Sequence, residues 1–176
     1  MMNTYRRPSR EERTRINRAL DRWGTFEFFK DKSLMIQEND DGGSKAVCFV
    51  PGELEPFMRM QPPYLAGLVI GELKKQFVPS MAGADLFARS GKRNEFYIVV
   101  NENAEKLVLY GRDIMGESIV EASDMLDENE LVIVLNRRLE AIGIGRTRFA
   151  GRSLLQKGRI TVTTVADAGY YLREEG

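Results

Sequence analysis

The chain contains no histidine and only one cysteine among its 176 residues. Without histidine, neither a Ser-His-Asp nor a Cys-His catalytic arrangement can form, and zinc sites with histidine ligands are excluded. The single cysteine, Cys48, cannot form an intramolecular disulfide, so a reducing cytoplasm is the indicated compartment. Any catalysis would depend on carboxylates, lysine, tyrosine or a carboxylate-bound cation. We therefore expect a protein that is not an enzyme and carries no cofactor.

Long apolar runs are also missing. No run approaches the roughly 20 residues of a membrane-spanning helix. The arginine-rich N-terminus is not followed by the apolar core of a signal peptide. We therefore expect a cytoplasmic protein with no membrane partner. The chain length suits one large domain or two small ones.

The chain has no net charge, with 26 basic and 26 acidic residues, but the charges are segregated. Residues 117–130 hold six acids and no base, whereas residues 137–159 hold seven bases and one acid. The acids do not match the spacing of a calcium loop, so we expect no metal site there. A basic segment in a neutral chain can steer a polyanion such as RNA or DNA. Simple solvation of a surface is the alternative.

The N-terminal part mixes helices and strands. Ser9 and Glu12 predict a capping box at the start of a helix whose apolar stripe includes Trp23, which we expect in the core. A short helix is predicted at 53–60, and another that ends at Gly91. Strands are predicted at 25–29, 33–38, 45–50, 65–73 and 95–100, with a turn at 39–43. We place a domain boundary after residue 94, giving domains 1–94 and 95–176.

The remaining residues are mostly β. After a helix at 103–111, strands are predicted at 118–123, 130–136, 139–149 and 158–174, a pattern typical of a small barrel. Gly143 and Gly145 do not form a dinucleotide fingerprint, because Arg148 occupies the position of the third glycine and no helix follows. In a barrel strand such glycines indicate a bend, a bulge or a close approach.

Four segments of the C-terminal part resemble a PUA domain, the RNA-binding module named for pseudouridine synthases and archaeosine transglycosylases. They are LYGRDI (109–114), ELVIVLN (130–136), AIGIGRT (141–147) and ITVTTVADAGYYLRE (160–174). The ending ADAGYYLR resembles the closing strand of the Nip-seven-type ribosome biogenesis factors of archaea and eukaryotes. This resemblance implies an α+β fold, with an N-terminal α/β, pre-PUA-like domain followed by a C-terminal PUA-type β pseudo-barrel.

The resemblance also implies a binding site, because PUA barrels bind RNA through a glycine-bearing helix–loop and neighbouring basic residues. Carried onto this chain, that site consists of Tyr110, Gly111, Arg112, Arg146, Arg148, Arg152, Lys157 and Arg159. Arginine suits the role because its guanidinium is permanently charged and binds phosphate through two hydrogen bonds. No catalytic or metal-binding residue is implied.

We therefore expect a non-catalytic RNA-binding protein that acts in ribosome biogenesis or rRNA processing, with ribosomal or pre-ribosomal RNA as its partner. One alternative is an accessory subunit of an RNA-modifying enzyme, which would require a carboxylate-lined pocket in the N-terminal domain, around Asp31 or Asp85. The other is a protein–protein adaptor in an RNA-processing complex. That function would be favoured by a large exposed apolar patch on the N-terminal domain.

Overall fold

The computed structural model describes residues 3–39, 45–60, 67–170 and 173. In the N-terminal part, five antiparallel strands form one sheet in the order β1-β2-β3-β4-β5. Its elements are β1 (Asn3–Arg6), α1 (Arg10–Arg22), α2 (Phe26–Phe29), β2 (Ser33–Asn39), β3 (Lys45–Val50), α3 (Glu55–Met60), β4 (Leu68–Leu73), β5 (Phe77–Pro79) and α4 (Met81–Ser90).

The C-terminal part forms a second sheet of six strands in the order β7-β11-β10-β9-β6-β8. Strands β6 and β9 pair in parallel, whereas the other neighbours pair antiparallel. Its elements are β6 (Tyr97–Val100), α5 (Glu102–Leu109), β7 (Ile114–Met115), β8 (Ile119–Glu121), β9 (Leu131–Leu135), β10 (Ala141–Thr147) and β11 (Ile160–Asp167).

The second sheet is curled into an incomplete barrel. Its two edge strands, β7 and β8, are joined by a single 3-10 turn, Gly116–Ser118. Because three residues span only about 10 Å, the two edges of the sheet must lie close together. The predicted α+β fold with a C-terminal pseudo-barrel is therefore confirmed. The boundary after residue 94 falls between α4 and β6 and stays a prediction.

Helix α1 begins as predicted. The Ser9 hydroxyl accepts a hydrogen bond from the backbone N–H of Glu12 at 3.2 Å, and the Glu12 carboxylate accepts one from the Ser9 N–H at 2.8 Å. Trp23, just after the helix, is 1% exposed and its ring stacks on that of Phe87. The prediction that Trp23 belongs to the core is confirmed.

The two sheets share one hydrophobic core. Strand β9 is buried on both faces, because Leu131 and Ile133 pack with residues of the N-terminal part while Val132 and Val134 fill the barrel. This explains its uninterrupted apolar sequence. The shared core includes Ile16, Leu20, Trp23, Phe87, Tyr97, Ile133 and Ile144.

One predicted strand is wrong, and another is shorter than predicted. Residues 25–29 contain the short helix α2, in which the N–H groups of Phe28 and Phe29 donate to the carbonyl of Thr25. The helical turn buries Phe29 fully while leaving Glu27 exposed. The last strand ends at Asp167, where a turn begins. The predicted turn at 39–43 lies, apart from its first residue, outside the described part of the chain.

Candidate nucleic-acid interface

Helix α5 ends in a turn that requires glycine. The N–H of Gly111 donates to the carbonyl of Val108 at 2.8 Å, and the N–H of Arg112 donates to that of Leu107 at 3.0 Å. This is a Schellman motif, and the φ of Gly111 is 71° as the motif demands. The turn leaves Tyr110 70% exposed, with Arg112 exposed beside it.

The same turn is fixed by the end of the chain. Arg173 forms two hydrogen bonds of 2.9 Å with the buried carboxylate of Asp167, and it also donates to the carbonyl of Leu109. The Asp167 carboxylate raises the pKa of Arg173. Sequence reasoning missed both residues as supports of the Tyr110 turn. They stand six positions apart in the ADAGYYLR segment, where their opposite charges were a usable signal.

The remaining predicted cations lie mostly on the segment 148–159, which joins β10 to β11 and which we call the basic loop. Arg148 and Lys157 are exposed, and their side chains make no hydrogen bond or ion pair with any described residue. Arg159 is exposed as well; its guanidinium lies 4.5 Å from the ring centroid of Phe149. Arg148 and Lys157 are therefore free to meet an anion, whereas Arg159 donates to the amide oxygen of Gln156 at 3.1 Å but has no acidic partner among the described residues.

Arg152 lies on the same loop but has an acidic partner. Its Nε donates to the Asp124 carboxylate at 3.0 Å, although its side chain is 87% exposed. Glu117 contacts the loop too, accepting a hydrogen bond from the N–H of Gly158 at 3.0 Å. An exposed ion pair of this kind is worth only about 0–1 kcal/mol, so a phosphate can compete for Arg152.

Arg146 lies apart from the other predicted cations, on the face of β10 that also carries Ile144 of the shared core. It is half-buried and donates to the carbonyl of Asn129 at 2.9 Å. Burial lowers the pKa of Arg22, and the nearby charge of Arg146 lowers it further. Arg146 therefore faces helix α1 rather than the Tyr110 turn.

The Tyr110 turn and the basic loop lie along one edge of the barrel. The Thr164 hydroxyl on β11 donates to the carbonyl of Arg112 at 2.8 Å, while the carbonyl of Arg159 accepts from the N–H of Gly116 at 2.9 Å. Thr164 lies four positions after Ile160 on β11, and Ile160 directly follows Arg159, so the two contacts are about 13 Å apart along the strand. The Tyr110 turn and Arg159 thus lie along the β7–β11 edge, whereas Arg152 contacts Asp124 in the segment after β8 and Arg146 faces helix α1.

Side chains of the protein itself pack against Gly143 and Gly145, the two glycines of β10. A β-carbon at Gly143 would lie 2.9 Å from a Val108 methyl, and one at Gly145 would lie 2.4 Å from a Val162 methyl. Both sit beside irregularities in the strand pairing. The bulge and close approach predicted for these glycines are therefore present. They serve packing inside the barrel.

The cysteine thiol and the acidic side chains show no sign of a reactive or metal-binding site among the described residues. Cys48 is fully buried, and burial raises the pKa of its thiol to about 11. Within the described ranges, no group of three His, Cys, Asp or Glu residues could hold a metal ion. Likewise, none of the described helices is long and apolar enough to cross a bilayer.

Comparison with known proteins assigns the family. The profile of the UPF0113 PUA domain matches residues 96–176, and that of the NIP7/UPF0113 pre-PUA domain matches residues 5–81. A curated UPF0113 protein of Archaeoglobus fulgidus is 34% identical over 177 residues, which is 97% of this chain and 95% of that relative. The chain belongs to the UPF0113 family. The resemblance to Nip-seven-type PUA proteins is thereby confirmed.

Solved structures support the UPF0113 fold. A conserved PUA domain protein of Thermoplasma acidophilum superposes with a TM-score of 0.68 at 17% identity, covering 98% of each chain. A hypothetical protein of Pyrococcus horikoshii gives the same TM-score and identity, with 97% of this chain and 98% of that one covered. At such low identity these two structures establish the shared fold of both sheets.

Proposed function

We propose that this UPF0113 protein binds single-stranded RNA, without catalysis, along the β7–β11 edge of its barrel. The observation that carries the proposal is the basic loop, where Arg148, Lys157 and Arg159 are exposed and have no acidic partner among the described residues. Membership of a PUA family supports RNA as the anion. Phosphate contacts by such cations give affinity without sequence preference.

The Tyr110 turn supplies a second kind of contact. Single-stranded RNA exposes its bases, and proteins bind them by stacking on aromatic rings. Tyr110 exposes its ring on this edge, and Arg112 is next to Gly111 on the same turn. The basic loop would thus hold the backbone of the RNA while Tyr110 stacks on a base about 13 Å along the edge.

Salt dependence tests the basic loop. Each phosphate contact to single-stranded RNA contributes about −0.7 to the slope of log K against log salt. We expect the double substitution Arg148→Ala/Lys157→Ala to weaken binding to many sequences equally and to reduce the slope by about 1.4. Fluorescence anisotropy with labelled oligonucleotides at several salt concentrations measures both effects.

The matched control is Lys30→Ala/Arg89→Ala. These two exposed cations follow α2 and lie on α4 in the N-terminal part, away from the barrel edge that carries the basic loop and the Tyr110 turn. The control removes the same charge from the same protein, so its slope should equal that of the wild type. A loop variant that keeps the wild-type slope would refute this RNA-binding surface.

We further propose that the RNA is ribosomal or pre-ribosomal and that the protein acts in ribosome biogenesis or rRNA processing in the cytoplasm. The match to the NIP7/UPF0113 pre-PUA domain supports this narrower function. Crosslinking in cells, followed by sequencing of the recovered RNA, should enrich ribosomal RNA from the wild type and lose that enrichment with Arg148→Ala/Lys157→Ala. Enrichment of transfer RNA instead would favour the accessory role in RNA modification.

A protein–protein adaptor is a second candidate, because the N-terminal part exposes apolar side chains around α3. Leu54, Phe57 and Met60 are 47%, 68% and 82% exposed. Scattered exposed apolar residues are common, but three within seven positions form a local patch. If the patch binds a protein, Phe57→Ser/Met60→Ser should abolish a ribonuclease-resistant association that the Arg148→Ala/Lys157→Ala variant retains.

A further inference from the structure

An open cleft of 440 Å³ lies where helix α1 meets the turn between β4 and β5 and the start of the barrel. Its volume falls within the roughly 300–1,000 Å³ typical of ligand sites. The cations that line it are Arg15, Arg18, Arg22 and Lys75, whereas its lining includes one carboxylate, that of Asp21. This cleft is therefore lined mainly by cations, and it is not the carboxylate-lined pocket that an enzymatic role would need.

The three arginines that line the cleft lie along one face of α1. Positions 15, 18 and 22 follow the three- and four-residue spacing that aligns side chains along one helix face. Arg15 is held in place because it donates to the carbonyl of Lys74, and Arg22 is held by its ion pair with Glu130. Arg15 and Arg22 are thus held at the cleft by these contacts. Arg18 and Lys75, in contrast, are exposed and contact no described acid.

Arg22 also offers a flat surface. Its guanidinium lies 3.9 Å from the ring centroid of Phe96, and both residues line the cleft. RNA bases stack on guanidinium planes as well as on aromatic rings. A nucleotide in the cleft could therefore place its base against the Arg22–Phe96 pair and its phosphate between Arg18 and Lys75.

Arg146 connects this cleft to the basic loop. It is close enough to Arg22 for its charge to lower the pKa of that residue, and it lies two positions before Arg148, the first residue after β10 ends at Thr147. Two residues of extended chain span about 7 Å, so Arg146 is close along the chain to the first cation of the basic loop. Arg146 is therefore the cation that lies between the cleft and the start of the basic loop.

We propose that the cleft is a second RNA-binding site, which takes one nucleotide of a strand that the basic loop already holds. The proposal depends on the RNA-binding function above and extends it into the N-terminal part. It gives the half-buried Arg146 a role, since that residue bridges the two sites. It also gives a role to the three arginines that share one face of α1.

The test is the double substitution Arg18→Ala/Lys75→Ala. Neither side chain makes a hydrogen bond or ion pair with a described residue, and alanine is the best helix former, so the fold should be kept. We expect weaker binding of oligouridine and a salt slope reduced by about 1.4. Crosslinking of iodouridine-substituted RNA to the wild type should attach a nucleotide to the peptide that contains Phe96 or Phe77.

The control is Arg13→Ala/Lys92→Ala, which removes the same charge from positions that do not line the cleft. Arg13 precedes Arg18 by five residues, which places it about 140° away around the helix. A cleft variant that binds like this control, while Arg148→Ala/Lys157→Ala still weakens binding, overturns the second site alone. If the RNA affinity of the wild type does not depend on salt concentration, the proposed function is overturned, and the second site is overturned with it.

Discussion

At the scale of single residues, Tyr110 is the sharpest test of base recognition. We expect Tyr110→Ala to weaken RNA binding by about 1–3 kcal/mol, the usual contribution of one stacked base. Tyr110→Phe keeps the ring and should keep the affinity. Because Tyr110 is 70% exposed, neither substitution should move the thermal midpoint. An affinity for the Phe variant as low as that of the Ala variant would mean that the hydroxyl, and not the ring, binds RNA.

Gly111 should matter for stability rather than for contact. Its φ is 71°, and a β-carbon there would meet Arg173 and Asp167 at 3.4 Å, an ordinary contact. Gly111→Ala should therefore cost only the left-handed backbone strain, about 1–2 kcal/mol. For a chain of this size that lowers the thermal midpoint by about 2–8 °C. Gly111→Asn should lose less, because asparagine tolerates this conformation; equal losses would point to a side-chain clash.

The sequence was enough to predict which residues belong to the candidate surface. It was not enough to predict the surroundings of two of them, Arg152 and Arg146. Charge clustering identified the basic loop, and the family resemblance identified the Tyr110 turn. The pairing of Arg152 with Asp124, 28 positions away, depends on tertiary packing. So does the position of Arg146 beside Arg22, which joins a strand of the barrel to the first helix. The sequence alone does not specify such long-range neighbours.

At the scale of elements, a network of ions ties β1, α1, β2 and β3 together. Arg6 bonds to the carboxylates of Glu12 and Glu38 at 2.7 Å each, and Lys45 bonds to Glu12 at 2.9 Å. Arg6, followed by Lys45 and the N–H of Ser9, holds the pKa of Glu12 well below its usual range despite the opposing effect of burial. The pKa of Glu38 is lowered by the same two cations.

This network predicts acid sensitivity. A carboxylate whose pKa is lower in the folded state contributes its full stabilisation above the unfolded pKa of about 4.3 and loses it as the pH falls below that value. The wild type should therefore lose thermal stability more steeply below about pH 4.3 than Glu12→Gln, which lacks this titration. Melting curves at a series of pH values measure the difference. Parallel pH profiles for the two proteins would show that Glu12 contributes nothing through its charge.

Long, strongly patterned elements were predictable, and short ones were not. The capping box of α1 and the apolar runs of β3, β6 and β9 are local signals that survive in the structure. Strands β1, β5 and β7 have four, three and two residues, which is too short for a period-two pattern. Helix α2 was mistaken for a strand because three phenylalanines within four positions suit a strand by composition alone.

At the scale of the whole molecule, we expect the shared core to make the two sheets unfold as one cooperative unit. Phe87 of α4 is fully buried and packs against Trp23 and Phe29. The core that contains it continues into the barrel through Tyr97, whose hydroxyl donates to the carbonyl of Trp23 at 2.8 Å. Each sheet by itself would leave part of this core exposed to water. We therefore expect the N-terminal part to stabilise the barrel that carries the basic loop.

Phe87→Ala tests this coupling. Truncating a buried phenylalanine costs about 3–5 kcal/mol, which should lower the thermal midpoint by about 6–20 °C. Trp23 fluorescence reports on the N-terminal part, whereas far-UV circular dichroism reports on both sheets, and the two signals should still change together in one transition. Two separated transitions would show that the barrel folds without its partner. The cleft site would then lose its basis, since the alignment of Arg22 with Arg146 requires both parts to be held rigidly together.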